Sequence, residues 1–386
     1  MSAPRRSSGA TADPGAGEPP GPTDTLPLSR FAFATVITRS YLPFARVLAR
    51  RLGRFHDAPL YVVCVDEPEG LFDPAAEPFT LLTASDLLPE QDRSLLFYYT
   101  PFEACNALRG YLHKHLFEHT PHDRWLYLDS DIYVTTPLDA AFAAIDEPAC
   151  GLISPHCLEP ADARLLHPVE TCLLKFGVYN SGFLGLRRNA EGRRFVDWFL
   201  ERLRTLCFFM HRDVYVDQLW LNLVPEHFPA MRSWKHPGAN VAYWNLHERR
   251  LRRTGEGLTA NGEPLLFVHF SQWRYDAPAD WRFGRTVAPD TDPTIIRDLG
   301  LAYRDELQSA GYDECRKWPY GYGRFADGRE ITTRMRRAYY DMLSAEAPPH
   351  GDPFAHPEWF PQGFSLERAK HLVPPVVKQF VRQWLN

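Results

Sequence analysis

The chain has no apolar run near the roughly 18–20 residues that a membrane-crossing helix needs, so no membrane-spanning helix is expected in it. Its first residues, Met1 to about Leu28, carry Arg5 and Arg6 but no apolar core behind them, so they are not expected to be a secretory signal. That stretch is rich in Pro, Gly, Ala, Ser and Thr and is expected to be a disordered lead. Neither sign of charge dominates: 43 basic residues face 48 acidic ones, a formal net charge of −5, and nothing calls for a nucleic-acid partner. The seven cysteines are odd in number, scattered, and never spaced Cys-x-x-Cys. A disulfide framework and a structural zinc site are therefore not expected, and reduced thiols in a cytoplasmic protein are. No internal repeat is present. What remains is 386 residues with 45% apolar and 13% aromatic content, ample for one large α/β domain or a core domain with an appendage.

Order is expected from Arg30. Phe31 to Thr38 reads as a buried strand; Ser40 then caps a helix over about 42–52 that tolerates Pro43 in its first turn. Leu60 to Val65 reads as a second buried strand. Thr100-Pro101-Phe102-Glu103 combines a capping box with a first-turn proline, opening a helix to about Glu118 with Cys105, Leu108, Leu112 and Leu116 on one face. Helical patterns follow over 191–207 and from Val214 to Leu223, and a late strand over Leu265 to Phe270. This alternation predicts a doubly wound, mostly parallel sheet. Prolines, glycines and amphipathic pieces from Cys315 onward predict an appended, mainly helical or irregular subdomain. The expected division is 1–28 lead, 29–314 main domain and 315–386 C-terminal appendage.

The most informative segment is Trp125-Leu126-Tyr127-Leu128-Asp129-Ser130-Asp131-Ile132-Tyr133-Val134. A β-favouring run delivers two carboxylates at the carboxyl end of a strand, where open α/β sheets bind ligands. Two such carboxylates repel each other and are costly to bury unless a cation lies between them. A hard divalent ion that shares substrate phosphates meets that need; a solvated turn is the plainer alternative. Three further segments carry candidate chemistry. Val178-Tyr179-Asn180-Ser181-Gly182-Phe183-Leu184-Gly185-Leu186 puts glycines inside a strand, marking either close approach of a ligand or a bulge. Asp217 and Gln218 sit in a mostly apolar run, suited to a sugar hydroxyl or a cation, or to a helix dipole. His269 ends the strand Leu265-Leu266-Phe267-Val268-His269 as a metal-ligand candidate, or a core imidazole. The run His247 to Arg253 reads mainly as a solvated face from which an arginine could clamp a diphosphate. His113 and His115, two apart on a helix, do not share a face and are weak ligand candidates.

In order along the chain, Ala34-Thr35-Val36-Ile37-Thr38-Arg39-Ser40-Tyr41, then a helix carrying Arg109, then Leu-Asp-Ser-Asp, Tyr-Asn-Ser-Gly, Asp-Gln and a strand ending in His269 resemble the GT-A-fold glycosyltransferases. The resemblance is greatest to those related to glycosyltransferase family 8, the glycogenin-like and lipopolysaccharide galactosyltransferase-like enzymes. It spans about Phe31 to Trp273. Asp-x-Asp alone is weakly specific; the ordered set is strong. The resemblance implies a GT-A-type sheet and transfer of a sugar from a nucleoside-diphosphate donor, UDP-linked rather than GDP-linked, with retention of configuration. It implies that Asp129, Asp131 and His269 bind Mn²⁺ or, alternatively, Mg²⁺. Thr38 and Tyr41 would cradle the base, and Arg109 and Ser130 would lie at the diphosphate or donor sugar. Asn180, Ser181 and Gly182 would border the sugar, Asp217 and Gln218 would stand by the reacting carbon, and Asn245 and His247 would lie on the acceptor or diphosphate side.

Family members often follow the late histidine with a glycine and a diphosphate-gripping lysine, both missing from His269-Phe270-Ser271-Gln272-Trp273-Arg274. Arg274, Arg249 and Arg250 are the candidate replacements. The segment Lys317 to Phe325 has no counterpart in the core fold; it reads as an acceptor platform, an oligomer contact or a structural wrap. A surface polysaccharide or other glycan, a lipid-linked glycan, a protein or a small metabolite would each fit as acceptor, and the expected location is cytoplasmic, compatible with peripheral association at the inner membrane face. Two other readings stand beside this one. A haloacid-dehalogenase-like phosphohydrolase also uses Asp-x-Asp, on an early strand and with Thr or Val where this chain has Tyr133. A non-catalytic nucleotide-sugar-binding protein would keep the same motifs.

Overall fold

A computed structural model describes residues 30–282, 284–343 and 349–360. The expected disordered lead and the last part of the expected appendage lie outside the described residues.

Seven strands form the central sheet: β1 (Phe31–Ile37), β2 (Leu60–Cys64), β3 (Thr80–Thr83), β4 (Arg124–Leu128), β6 (Gly151–Pro155), β7 (Tyr179–Arg187) and β8 (Met231–Ser233), the label β5 being kept for Ile132–Val134. Their order is β8-β6-β7-β4-β1-β2-β3. Only β7 runs against its neighbours, pairing antiparallel with β4 and β6. The sheet is thus mostly parallel, as the alternation of elements predicts.

Alternation along β1 shows why both faces are covered. Ala32, Ala34 and Val36 point into one apolar cluster; Phe33 and Ile37 point into another on the opposite face. The first cluster is closed by α2 (Pro101–His119) and α5 (Ala190–Thr205), the second by α1 (Leu42–Gly53) and α3 (Asp139–Ala144).

The predicted capping box opens α2. The Thr100 amide donates to Glu103 Oε2 at 2.9 Å, and the Glu103 amide donates to Thr100 Oγ1 at 3.4 Å. Glu103 is fully buried, and its charge is met by Arg337 on α7 (Thr333–Leu343) and by the Phe209 amide at 2.6 Å. One cap therefore ties three distant pieces of chain together.

Two local expectations are revised. The run from Trp125 to Val134 is two strands: the chain leaves the sheet after Leu128, and β5 pairs antiparallel with β9 (Phe267–His269) in a separate two-stranded sheet. Val214 to Leu223 is not a single helix. Val214–Tyr215 closes a small hairpin with Phe209–His211, and a 3₁₀ helix then covers Gln218–Leu223. Met210, Arg212 and Asp213 adopt positive φ in that hairpin, and Val216, at a φ of 40°, breaks the helical pattern inside the expected range.

The segment after Cys315 wraps the α/β body. Arg336, buried, donates to the carbonyls of Phe97 at 2.6 Å, Tyr99 at 2.9 Å and Tyr322 at 2.6 Å. Asp66, just past β2, accepts from the amides of Arg39 at 2.8 Å and Gly321 at 3.0 Å, pinning the tyrosine- and glycine-rich stretch to the sheet edge.

Candidate active site

The carboxyl ends of β1, β4 and β6 and the start of β7 meet at one edge of the sheet. There they open on a cavity of about 510 Å³. Thr38, Tyr41, Arg109, Asp129, Ser130, Asp131, Asn180, Ser181, Gln218 and His269, all expected site residues, line it.

The chain turns back at Ser130, and β9 lies alongside β5 with His269 opposite Ile132. His269 Nε2 comes to 3.1 Å from Asp131 Oδ1 and 3.7 Å from Asp129 Oδ2. One ligand atom from each of the three residues lies within 4.8 Å of the others. The donor set fits a divalent ion: two carboxylate oxygens and an imidazole nitrogen, with room on the cavity side for phosphate oxygens. Two supports prepare it. Asp129 Oδ1 is already held by Tyr127 Oη at 2.8 Å and Arg109 Nη2 at 2.5 Å, leaving Oδ2 turned toward His269. His269 Nδ1 lies 3.1 Å from Asn240 Oδ1, which orients the ring with Nε2 toward the carboxylates; a proton on Nδ1 would leave the Nε2 lone pair for an ion. Burial depresses the basicity of His269, but Asp131 and Asp129 outweigh it and raise its pKa above the ordinary imidazole value. The carboxylates already favour a positive charge at that point.

Gly182 is explained by this packing. A Cβ there would lie 2.5 Å from His269 Cε1 and 2.6 Å from Asp129 Oδ2. The glycine lets the ion-binding group close up, and it is not among the residues lining the cavity. Gly182→Ala is expected to lower ion affinity at least about tenfold and stability by about 1–3 kcal/mol, the usual scale of overpacking. Mn²⁺ titration and urea unfolding read the two effects; unchanged affinity would mean that the group relaxes without loss.

Behind the ion group lies a buried charge network. Arg109 donates to Asp217 Oδ2 at 2.7 Å and to Ser181 Oγ at 3.0 Å, besides its bond to Asp129. Ser181 Oγ donates on to Asp217 Oδ1 at 2.9 Å. Burial opposes the Arg109 charge, yet Asp129 and Asp217 outweigh it and raise its pKa well above its ordinary value. Burial raises the Asp217 pKa despite Arg109. Asp217 is only 1% exposed and does not line the cavity; its neighbour Gln218 does. The Gln218 amide donates to Phe176 O at 2.8 Å, and its Oε1 accepts from Asn180 at 3.2 Å, leaving one lone pair on that oxygen.

Several expected residues stand elsewhere. Asn245 is fully buried, spending its amide on the carbonyls of His156 and Asn240 at 2.9 Å each and its oxygen on the Ala242 amide. His247 lines a smaller neighbouring hollow. Of the candidate replacement cations, Arg249 is buried against Glu248 at 2.8 Å, Arg274 pairs with Asp276, and Arg250 is exposed. Arg249 thereby corrects the reading of its run as a solvated face. The turn after His269 keeps the backbone that glycine favours, since Gln272 itself holds a φ of 60°. None of residues 315–343 or 349–360 lines the cavity, so the described part of the C-terminal segment wraps the fold without shaping this site.

Tyr127, His156, Asn240, Trp244, Lys175 and Arg285 are additional residues of the site or its support. Two had a sequence signal. Tyr127 lies two residues before Asp129 on the same strand face, and His156 follows strand β6 as the aspartates follow β4. Asn240, Lys175 and Arg285 sit on loops and a short helix where no periodicity marks them.

His156 and, on α2, His113 are buried, and burial holds their pKa values down at about 4 and about 3. Each takes a proton in the unfolded chain near pH 6.5 but resists it when folded, so stability is full above about 6.5 and falls as pH drops toward 4. Each is expected to contribute about 1.4 kcal/mol of loss per pH unit across that window. Urea unfolding between pH 6 and 5 should show His156→Gln removing one such share of the slope; an unchanged slope would mean that His156 already charges in the fold.

No family model matches the chain. The protein YfnF of Bacillus subtilis (strain 168), whose name carries no function, is 23% identical over 249 residues, covering 63% of this chain and 82% of that one. Among solved structures, the galactosyltransferase LgtC, in complex with donor and acceptor sugar analogues, overlaps with a TM-score of 0.42 at 14% identity, covering 72% of this chain and 95% of that chain. The glycosyltransferase GlyE of Streptococcus pneumoniae TIGR4 overlaps with a TM-score of 0.40 at 16% identity, covering 76% and 66%. At these identities the chemistry rests on the residues of the site itself.

Proposed function

We propose that the protein is a divalent-metal-dependent glycosyltransferase of the GT-A type, taking a nucleoside-diphosphate sugar, preferably UDP-linked, and transferring its sugar with retention. The observation that carries this reading is the Asp129–Asp131–His269 group, braced from behind by Arg109, lining one cavity with Thr38 and Tyr41 from beyond the end of β1. A metal-ion group beside a strand end that can hold a base matches a donor with a diphosphate in the middle and a sugar beyond it.

Mn²⁺, or Mg²⁺ in its place, would supply neutralisation of the negative charge that builds on the departing diphosphate. The chain's own residues do the rest. Tyr127, Arg109 and Asn240 hold the ligand atoms in place before the donor arrives, so little reorganisation is needed during reaction. Asn180 and Gln218 bond to each other on the wall beyond Ser181, where the donor sugar would lie. The free lone pair on the Gln218 amide oxygen suits the positive charge that develops at the anomeric carbon. In transfer, the bond from that carbon to the diphosphate breaks and a bond to the acceptor oxygen forms. The hydroxyl proton leaves with the nucleoside diphosphate, which acts as base on the face where attack occurs. Asp217 serves as a positioning residue, fixing Arg109 and Ser181 without touching the sugar.

A thermal-shift panel of UDP, GDP, CDP, dTDP and ADP, each with and without Mn²⁺, tests the donor class. Binding to the native state raises apparent stability by mass action, about 2.7 kcal/mol at a ligand concentration of 100 times Kd. A rise with UDP that needs Mn²⁺ is expected; no rise with any nucleotide would contradict the reading.

A further inference from the structure

We propose that the part of the cavity lined by Phe102, Phe176, Phe209 and Tyr215 is an acceptor subsite for an anionic amphiphile, a molecule with an apolar chain or ring system joined to a phosphate or carboxylate and carrying the hydroxyl that takes the sugar. This rests on the glycosyl-transfer reading and names the acceptor class for it.

The wall there is a ladder of rings. Phe102 meets Phe209 at 5.5 Å, Phe209 meets Tyr215 at 5.3 Å, and Tyr215 meets Phe176 at 5.0 Å. These four side chains all line the cavity, together with Met210. A neutral oligosaccharide needs a dense set of hydrogen-bonding partners, and this wall offers mostly hydrocarbon.

The apolar surface continues out of the cavity. Of the eight large apolar side chains exposed among the described residues, five are Phe102, Leu174, Val178, Met210 and Leu223. Phe102 and Met210 line the mouth itself. Leu174, 82% exposed, sits on α4 (Glu170–Phe176), flanked by the lining residues Leu173 and Lys175. Val178 follows Gly177 on the wall, and its amide donates to Asn222 at 2.9 Å, which brings Leu223 to the same rim. Exposed apolar surface that concentrates at the mouth of a site marks what the site receives.

Charge narrows the ligand further. Lys175 and Arg285 line the same cavity, and neither is in an ion pair among the described residues. Lys175 lies over the Phe176 ring at 5.1 Å, and Arg285 donates to Pro168 O at 3.1 Å. Two unpaired cations beside an apolar wall complement an anionic group attached to an apolar body. The occupant is a single amphiphilic molecule entering the cavity; a bilayer lying flat on the rim is the competing occupant.

The probe is monomeric n-decyl phosphate, titrated calorimetrically into the full chain with Mn²⁺ and UDP, below its aggregation concentration, alongside inorganic phosphate. Each buried methylene is worth roughly a factor of four in affinity. Decyl phosphate is therefore expected to bind one to one and at least about 30-fold more tightly than inorganic phosphate. Leu174→Glu, at an exposed position that leaves the fold untouched, should weaken decyl phosphate at least about tenfold without altering the Mn²⁺-dependent UDP shift. Lys175→Glu should weaken both phosphates. Equal affinity for the two phosphates, with the UDP shift intact, would overturn the amphiphile and leave the transferase reading standing. Loss of the UDP shift in the unmodified protein would instead overturn that underlying reading. Binding to phosphatidylglycerol vesicles without binding of the monomer would assign the rim to a bilayer and overturn the proposal.

Discussion

Asp131→Asn is expected to leave the fold standing and to remove Mn²⁺-dependent nucleotide binding. The residue lies just past the end of β4, with its side chain partly open to the cavity and Oδ1 3.1 Å from His269 Nε2. Asparagine keeps the shape but loses the negative charge, and a neutral amide oxygen is a much weaker ligand for a hard cation. Without an ion, Asp131 and Asp129 repel each other, so losing one charge costs the apo protein less than about 1 kcal/mol. The catalytic effect is larger, because a bound ion contributes several kcal/mol of charge stabilisation in the transition state. Sugar transfer is expected to fall at least about 100-fold, each factor of ten being about 1.4 kcal/mol. Thermal melting with UDP, with and without Mn²⁺, separates the two: the apo midpoint should hold while the Mn²⁺-dependent rise disappears. A rise of wild-type size in the variant would remove Asp131 from the ligand set.

The second large effect is structural. Arg109→Met is expected to cost about 3–5 kcal/mol, because it strands a buried carboxylate. Asp217 is 1% exposed and would keep only the Ser181 hydroxyl, while Asp129 would lose its bond at 2.5 Å. Asp217→Asn, by contrast, keeps a group of the same shape beside Arg109. That variant is expected to lower kcat while leaving the KM for the donor nearly unchanged, since Asp217 acts only through Arg109 and Ser181. Urea unfolding checks the first claim and steady-state kinetics the second. A loss under about 1 kcal/mol for Arg109→Met would mean that water reaches the network, and an unchanged kcat for Asp217→Asn would remove Asp217 from the mechanism.

The parts of the site legible in the sequence are those fixed by strand periodicity. Asp129 and Asp131 end a buried run, His269 ends another, and the register of β5 against β9 brings them together. The capping box of Thr100 and Glu103 likewise announced α2, and with it the place of Arg109. What the sequence does not carry is direction. The carboxylate of Asp217 turns inward to Arg109 while Gln218 faces the cavity, because a 3₁₀ turn replaces the helix that the apolar pattern suggests. Gly182, expected to border a sugar, makes room for His269 and Asp129. Asn245, with a ligand's chemistry, is consumed by three backbone partners. Lys175 and Arg285 come from a short helix and a loop, and only tertiary packing sets them on one wall.

The most direct test of sugar transfer is the product released from a panel of nucleotide sugars with Mn²⁺, resolved as nucleoside diphosphate or inorganic phosphate. Nucleoside diphosphate is expected from one donor, dependent on the divalent ion and lost in Asp131→Asn. Release of inorganic phosphate, as from a phosphohydrolase, or nucleotide-sugar binding with no turnover in the presence of hydroxyl-bearing amphiphilic phosphates and glycan acceptors, would contradict sugar transfer.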